Sequence, residues 1–477
     1  MLGGCALLLS LALGWLTVRL LLDRRTLAPS WQRFLLEAAA AVGIAAGLTS
    51  VLHFLLLLAG LATPLSSLTA LALLSGILAY LLARRKKAAA EGAEPQSASS
   101  SLTWVVRMAF IAAAGLILVE ILRAYAAEPH GWWDAFSIWN LRARFLASGG
   151  PGWRGVFSAD LNAGLTGASH PGYPILLSGW IASIWMASGS TAAWVPAAAG
   201  ALFCFGVLFL LAGAVGTLRG EMAGLLAGLV LAATRSYVAQ SAWQIADIPL
   251  GFFILGGTAM LALARNNSAG AATLSGLLAG FAPWTKNEGW PFLLALVPVA
   301  FWLGGRRTGL FVTIGALPGV VMTVLFKLLA EGGSESAFPR TAMEVTSRLA
   351  DPARWGVVVA SFGRAFAAIS PAWAHPVLLL ALLVFALRLT PGRIKLLGLA
   401  APALAVPASC LGMLLVTNAD LAWQTSTSVH RLILQPWPAL LFVAFMALRP
   451  AEETPAPAAP SDAKAAQRGK KKRKSHS

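Results

Sequence analysis

Charge is what this chain has least of. Only 12% of its residues are Asp, Glu, Lys or Arg, against about a quarter in a soluble protein of this size. With 58% apolar residues in 477 and a mean hydropathy of +0.73, it is not an ordinary soluble enzyme. Cysteine is scarce as well. Cys5, Cys204 and Cys410 all lie in apolar runs, and their spacing fits no metal motif. The alternation of barrel strands is missing, which excludes a transmembrane barrel. Residues 2–22 lack a basic leading region and a small-residue cleavage site, so they read as a retained span rather than a removable leader. No internal repeat is evident.

What the chain has instead is apolar runs. They recur along almost the whole length, each near the roughly 20 residues needed to cross a ~30 Å hydrocarbon core. The fold class this implies is an all-α polytopic membrane protein. The formal charge of +17 would point to nucleic acid in a soluble protein. Here Lys and Arg mark cytoplasmic loops, and no nucleic-acid partner is expected. Three runs, at 2–22, 35–61 and 66–82, make an N-terminal three-helix module over 1–87. A small, polar, flexible cytoplasmic linker follows at 88–101. The main transmembrane domain runs from 102 to 448, with a first external loop at 125–172. The tail, 449–477, is Ala- and Pro-rich and ends RGKKKRKSHS. It reads as disordered, cytoplasmic and attracted to anionic membrane lipids.

Orientation follows from charge parity. Arg24, Arg25 and Arg33, then Arg84 to Lys87, then the final lysines all belong inside. This places the N-terminus and residues 125–172 outside. If the runs at 173–187 and 357–370 both crossed, Arg219, Arg265, Arg306 and Arg307 would face outside. Both runs are therefore read as short, non-spanning interfacial helices, leaving about 13 spans. One external face then gathers Asp134, Arg142, Arg144, His170, Asp247, Lys286, Glu288, Arg340, Arg348, His430 and Arg431.

Five stretches of that face carry chemistry. In GWWDAFSIWNLRAR, residues 131–144, Asp134 opens an amphipathic segment behind Trp132 and Trp133. It is a capping acid on an interfacial helix or a general base. HPGYPI, residues 170–175, is a rigid turn in which His170 binds a phosphate or a metal, or merely hydrogen-bonds the turn. WQIADIP, residues 243–249, sets Asp247 before the proline that starts a span, a costly place for an unpartnered acid. WTKNEGW, residues 284–290, interrupts two apolar runs with Lys286 and Glu288, whose spacing does not pair them on a helix. His430 and Arg431 open the last long run, 432–448, where a guanidinium suits phosphate. Two acids and several cations on one membrane face suit sugar transfer from a lipid-linked phosphate. A carboxylate deprotonates the acceptor hydroxyl, and cations stabilise the departing phosphate.

The order of these motifs resembles the GT-C class of integral membrane glycosyltransferases, which includes protein mannosyltransferases and lipid A aminoarabinose transferases. The likeness covers roughly residues 102–448. It implies a GT-C-like fold, an inverting mechanism and a polyprenyl-phosphate sugar donor, with a lipid, glycan or protein as acceptor. By that resemblance Asp134 is the catalytic acid of the first loop and Asp247 the second external acid, which in some members binds a divalent metal such as Mg or Mn. Lys286, Arg431 and His170 fall on the phosphate side, and Tyr173, Glu288 and Trp133 position substrate. The chain departs from the class in three ways. Ala135 replaces the acid that often follows the catalytic Asp, His170 stands where Lys or Arg is common, and no acid stands two residues after Asp247. The last departure argues against a required metal. A transporter or flippase of polyprenyl-linked glycans is the competing class, but its ionisable groups belong near the bilayer midplane of repeated halves.

Overall fold

The computed structural model of the protein describes residues 2–22, 30–85, 101–157, 170, 172–264, 268–330, 339, 341–387 and 394–448. Residues 88–100 of the 88–101 linker, the tail, Arg340 and the basic clusters at 24–25 and 86–87 lie outside them, while Ser101 begins a helix. The described chain is helical throughout, with no strand. Eight helices are long and apolar enough to cross a membrane, or ten if each of two bent pairs is one span. The protein is a multi-pass membrane protein.

Four helices begin the chain: α1 (Leu2–Leu21), α2 (Trp31–Leu58), α3 (Pro64–Arg84) and α4 (Ser101–Ala127). A π-helical turn, Ala135–Trp139, runs into α5 (Asn140–Ser148), and α6 (Leu176–Ser188) follows. Next come α7 (Trp194–Arg219), α8 (Glu221–Ala232), α9 (Arg235–Ala242), α10 (Asp247–Ala264), α11 (Ala269–Thr285) and α12 (Gly289–Leu329). The last six are α13 (Ala342–Leu349), α14 (Pro352–Ala367), α15 (Pro376–Leu387), α16 (Ile394–Val416), α17 (Leu421–Leu432) and α18 (Trp437–Ala447).

Several boundaries differ from the sequence reading, each for a local reason. The run at 222–239 is two helices, α8 and α9, bent by 69°. Ser370 enters the break, its Oγ donating to Ala233 O at 2.9 Å and accepting from Arg235 N at 3.0 Å. The last run is also broken, with α17 and α18 meeting at 45°. Pro436 and Pro438 cannot donate backbone hydrogen bonds there. Arg431 therefore closes α17 instead of opening a span. The runs at 289–304 and 309–329 join in the 41-residue α12, interrupted at Gly305, where φ is +72°. The runs at 271–284 and 374–389 form helices of only 17 and 12 residues.

The two runs read as non-spanning are too short to cross. The 13-residue α6 is buried except at Ser188, and the 16-residue α14 is amphipathic. At about 1.5 Å per residue neither reaches ~30 Å. α6 supports the end of the π-helical turn that Asp134 opens. It packs against α1, α2, α3 and α5, with Trp180 Nε1 donating to Ser10 Oγ at 3.0 Å and Ser178 Oγ to Trp139 O at 2.9 Å. Helices α1 and α2 share one buried core with the helices after residue 102. Small residues let α11 and α12 approach closely. A Cβ on Gly280 would fall 2.4 Å from Ala316 O. That contact fixes the end of α11, where Lys286 sits.

Candidate active site

The site forms where four helix ends meet. Asp247 is the first residue of α10, and Lys286 caps the C-terminal end of α11. Lys286 Nζ donates to Asp247 Oδ1 at 2.9 Å and meets Glu288 Oε1 at 3.2 Å. The sequence spacing had argued against a Lys286–Glu288 pair on a helix, and the tight turn at 286–289 is what permits it. Burial alone lowers the affinity of Lys286 for its proton. The Asp247 and Glu288 carboxylates outweigh that and hold its pKa above the ordinary lysine range. Gln435, fully buried in the break between α17 and α18, donates Nε2 to the same Asp247 oxygen at 2.7 Å. Asp247 is therefore a buried, doubly bonded carboxylate.

A second ion pair lies nearby. Arg431 Nη1 donates to Asp134 Oδ2. Asp134 opens the π-helical turn, but its side chain makes no capping hydrogen bond, so the carboxylate is spent on Arg431 rather than on the helix. The two side chains are 22% and 21% exposed, against 1% and 6% for Asp247 and Lys286. Arg431 and Asp247 also interact electrostatically, which joins the two pairs into one cluster. Arg431 Nε, Glu288 Oε2 and Gln435 Oε1 are buried without a hydrogen-bond partner. The cluster thus holds more hydrogen-bonding capacity than it satisfies.

The last turn of α9 and the segment that follows it bring the parts together. Gln240 Nε2 donates to His430 O at 3.2 Å, holding α17. Gln244, at a φ of +59°, donates Nε2 to Pro129 O at 3.2 Å. Trp243 stacks on Trp132 with centroids 5.5 Å apart, and its carbonyl accepts from Trp132 N. Gly131 is required here. Its φ is +77°, and a Cβ would meet Trp243 O at 2.8 Å. One short connection thereby clamps both the Asp134 loop and the Arg431 helix.

The aromatic side of the site is a stack. Tyr173 lies on Trp139 with centroids 5.7 Å apart and planes 9° apart, and His170 stacks on Tyr173 at 5.0 Å. Lys286 Nζ sits 5.7 Å from the Tyr173 ring centre. Two cations hold the turn beneath. Lys327 Nζ donates to Gly172 O, and Arg142 Nη1 donates to Pro174 O at 3.3 Å. Arg142 is fully buried against the Phe326 ring. With no acid beside it, burial lowers its pKa to about 9.

Not every residue of the expected external set joins the cluster. Arg144 lies over the Trp185 ring and lines an open cavity of ≈ 440 Å³ with Glu128, His130, Phe136 and Asn140. Arg348 donates to the carbonyls of Val416 and Thr417 at the end of α16. Trp133 is 58% exposed and packs edge-on against Phe136. The ring of His430 packs edge-on against Trp243. Sequence reasoning missed Gln435, Gln240 and the bracing role of Arg142. A glutamine four residues after Arg431, inside an apolar run, was the available signal for Gln435.

The residues at Asp247 do not suit a divalent metal. The Asp247 oxygen already accepts from an ammonium and an amide, and Glu288 shares that ammonium. Among the described residues no group of three His, Cys, Asp or Glu side chains is placed to hold an ion. No family model, curated protein or solved structure matches the chain.

Proposed function

We propose that the protein is a GT-C-like membrane glycosyltransferase. On this reading it transfers a sugar from a polyprenyl-phosphate donor to an envelope lipid, glycan or protein at the external face of the cytoplasmic membrane. The tail then lies in the cytoplasm. The observation that carries the proposal is the partly exposed Asp134–Arg431 pair beside the sealed Asp247–Lys286 pair. Its carboxylate is accessible, next to cations, and unspent on helix capping.

The step runs as a single displacement. Donor phosphate takes the Arg431 guanidinium, which is suited to bidentate phosphate binding, and frees Asp134. Asp134 accepts the proton of the acceptor hydroxyl. The acceptor oxygen forms a bond to the anomeric carbon as the carbon–oxygen bond to phosphate breaks with inversion. Polyprenyl phosphate departs with the electron pair, stabilised by Arg431 and Lys286. The His170–Tyr173–Trp139 stack supplies a flat apolar wall for the sugar.

Purified protein in liposomes, given a synthetic polyprenyl-phosphate sugar and acceptor mixtures, tests this by release of polyprenyl phosphate. Asp134→Asn is expected to abolish release while unfolding at the wild-type temperature. Near-wild-type release from that variant would sink the assignment.

A further inference from the structure

Helix α4 carries a feature that the proposed chemistry does not use. It is a 27-residue helix with only Phe110, Ile117 and Ile121 buried. These three share one stripe and pack toward α7, α8 and α9. Helix α3 is just as exposed, but no charge stands within it before Arg84, so hydrocarbon satisfies its whole surface. In α4, by contrast, Glu120 is exposed among exposed Leu116, Leu118, Val119 and Leu122.

The depth of Glu120 makes it anomalous. Arg107, nearer the start of α4, donates Nε to Glu221 Oε1 at 2.9 Å, which marks one polar boundary of the helix. Glu120 lies roughly 20 Å further along the axis at about 1.5 Å per residue. The other end, at Ala127, is about 10 Å beyond it. An acid at that level faces hydrocarbon, where ionisable groups are rare and paired. Yet among the described residues neither Glu120 nor Arg123 has a partner.

The surrounding pattern says what covers them. Val105, Ala109, Ala112, Leu116, Glu120 and Arg123 follow spacings of 4, 3, 4, 4 and 3, the period of a helix–helix seam. All six are exposed. Ala109 and Ala112 are small enough to let a second helix approach, as membrane interfaces require.

We infer that this stripe of α4 docks on α4 of a second copy of the chain, around a two-fold axis along the membrane normal. The pattern is complementary to itself. In parallel helices, Glu120 of one copy lies about 4.5 Å along the axis from the level of Arg123 of the other. Long side chains span that offset at the roughly 8–10 Å separation of packed helices. The two-fold makes the contact twice and takes all four charges out of lipid. This inference is independent of the glycosyltransferase reading.

Cysteine cross-linking of the full chain in native membranes tests it, with Cys5→Ser as background. Leu116→Cys is expected to give a disulfide-linked homodimer, and Leu118→Cys, on another face, at least tenfold less. Adding Glu120→Arg should cut the Leu116→Cys dimer at least fivefold. The charge-swapped Glu120→Arg/Arg123→Glu background should restore more than half of it. Equal cross-linking at 116 and 118, no cross-link at 116, cross-linking to a different protein, or failure of the swap to restore the dimer would overturn the inference.

Discussion

The two ion pairs of the site are chemically alike and physically opposite. Asp247 and Lys286 are sealed, and their atoms are further tied to Gln435 and Glu288. Asp134 and Arg431 are joined across a chain separation of 297 residues and keep about a fifth of their surfaces exposed. A sealed pair cannot change partners without leaving a bare charge in low dielectric. A partly exposed pair can, because water or an incoming anion replaces the lost contact. On the proposed reading the sealed pair holds charge in place and the open pair reacts.

Substitutions break the comparison in graded ways. The largest effect falls on the sealed pair. Lys286→Met should destabilise the protein by about 3–5 kcal/mol, because it strands a buried carboxylate. Thermal unfolding in detergent measures this, and Asp247→Leu/Lys286→Met should recover most of the loss. An uncorrected double variant would mean that the charges serve more than each other. Next is the open pair. Arg431→Gln should cost less than about 1 kcal/mol of stability while lowering transfer about 10²-fold or more. Parallel loss of stability and transfer would erase the distinction between the pairs. On stability alone Gln435→Leu falls between these two, because it removes one hydrogen bond to a charged group and should cost about 1.5–3 kcal/mol at most. The smallest effect is expected at Trp133→Ala, which should leave stability within about 0.5 kcal/mol because the ring is mostly exposed. A larger loss there would show that Trp133 packs on something beyond Phe136.

The sequence made some of this legible and hid the rest for physical reasons. Apolar runs announce membrane helices because hydrocarbon tolerates little else. Polar residues at run ends stand out for the same reason, so Asp134, Asp247, Lys286 and Arg431 could be gathered onto one face before any contact was known. Their pairing could not. Whether Arg431 meets Asp134 or Asp247 depends on the 69° and 45° breaks, and those depend on Ser370 and Pro436, distant from or silent in a hydropathy pattern. The capping reading of Asp134 was reasonable for an acid at a helix start. It fails because the segment begins as a π-helical turn, and the carboxylate faces Arg431 instead. Lys286 and Glu288 looked unpaired only under helical spacing, and a turn changes which atoms meet. Arg142 carried no sequence signal as a brace, since an arginine on an amphipathic helix ordinarily points to water.

The central claim is that this face consumes a polyprenyl-phosphate sugar, and the lipid pool of the membrane tests it most directly. Lipids extracted from cells expressing the wild-type chain, no chain, or Asp134→Asn can be compared by mass spectrometry. The account predicts that a polyprenyl-phosphate sugar accumulates equally without the chain and with Asp134→Asn, on the external leaflet. An unchanged pool, or accumulation confined to the inner leaflet as a missing flippase would cause, would contradict it.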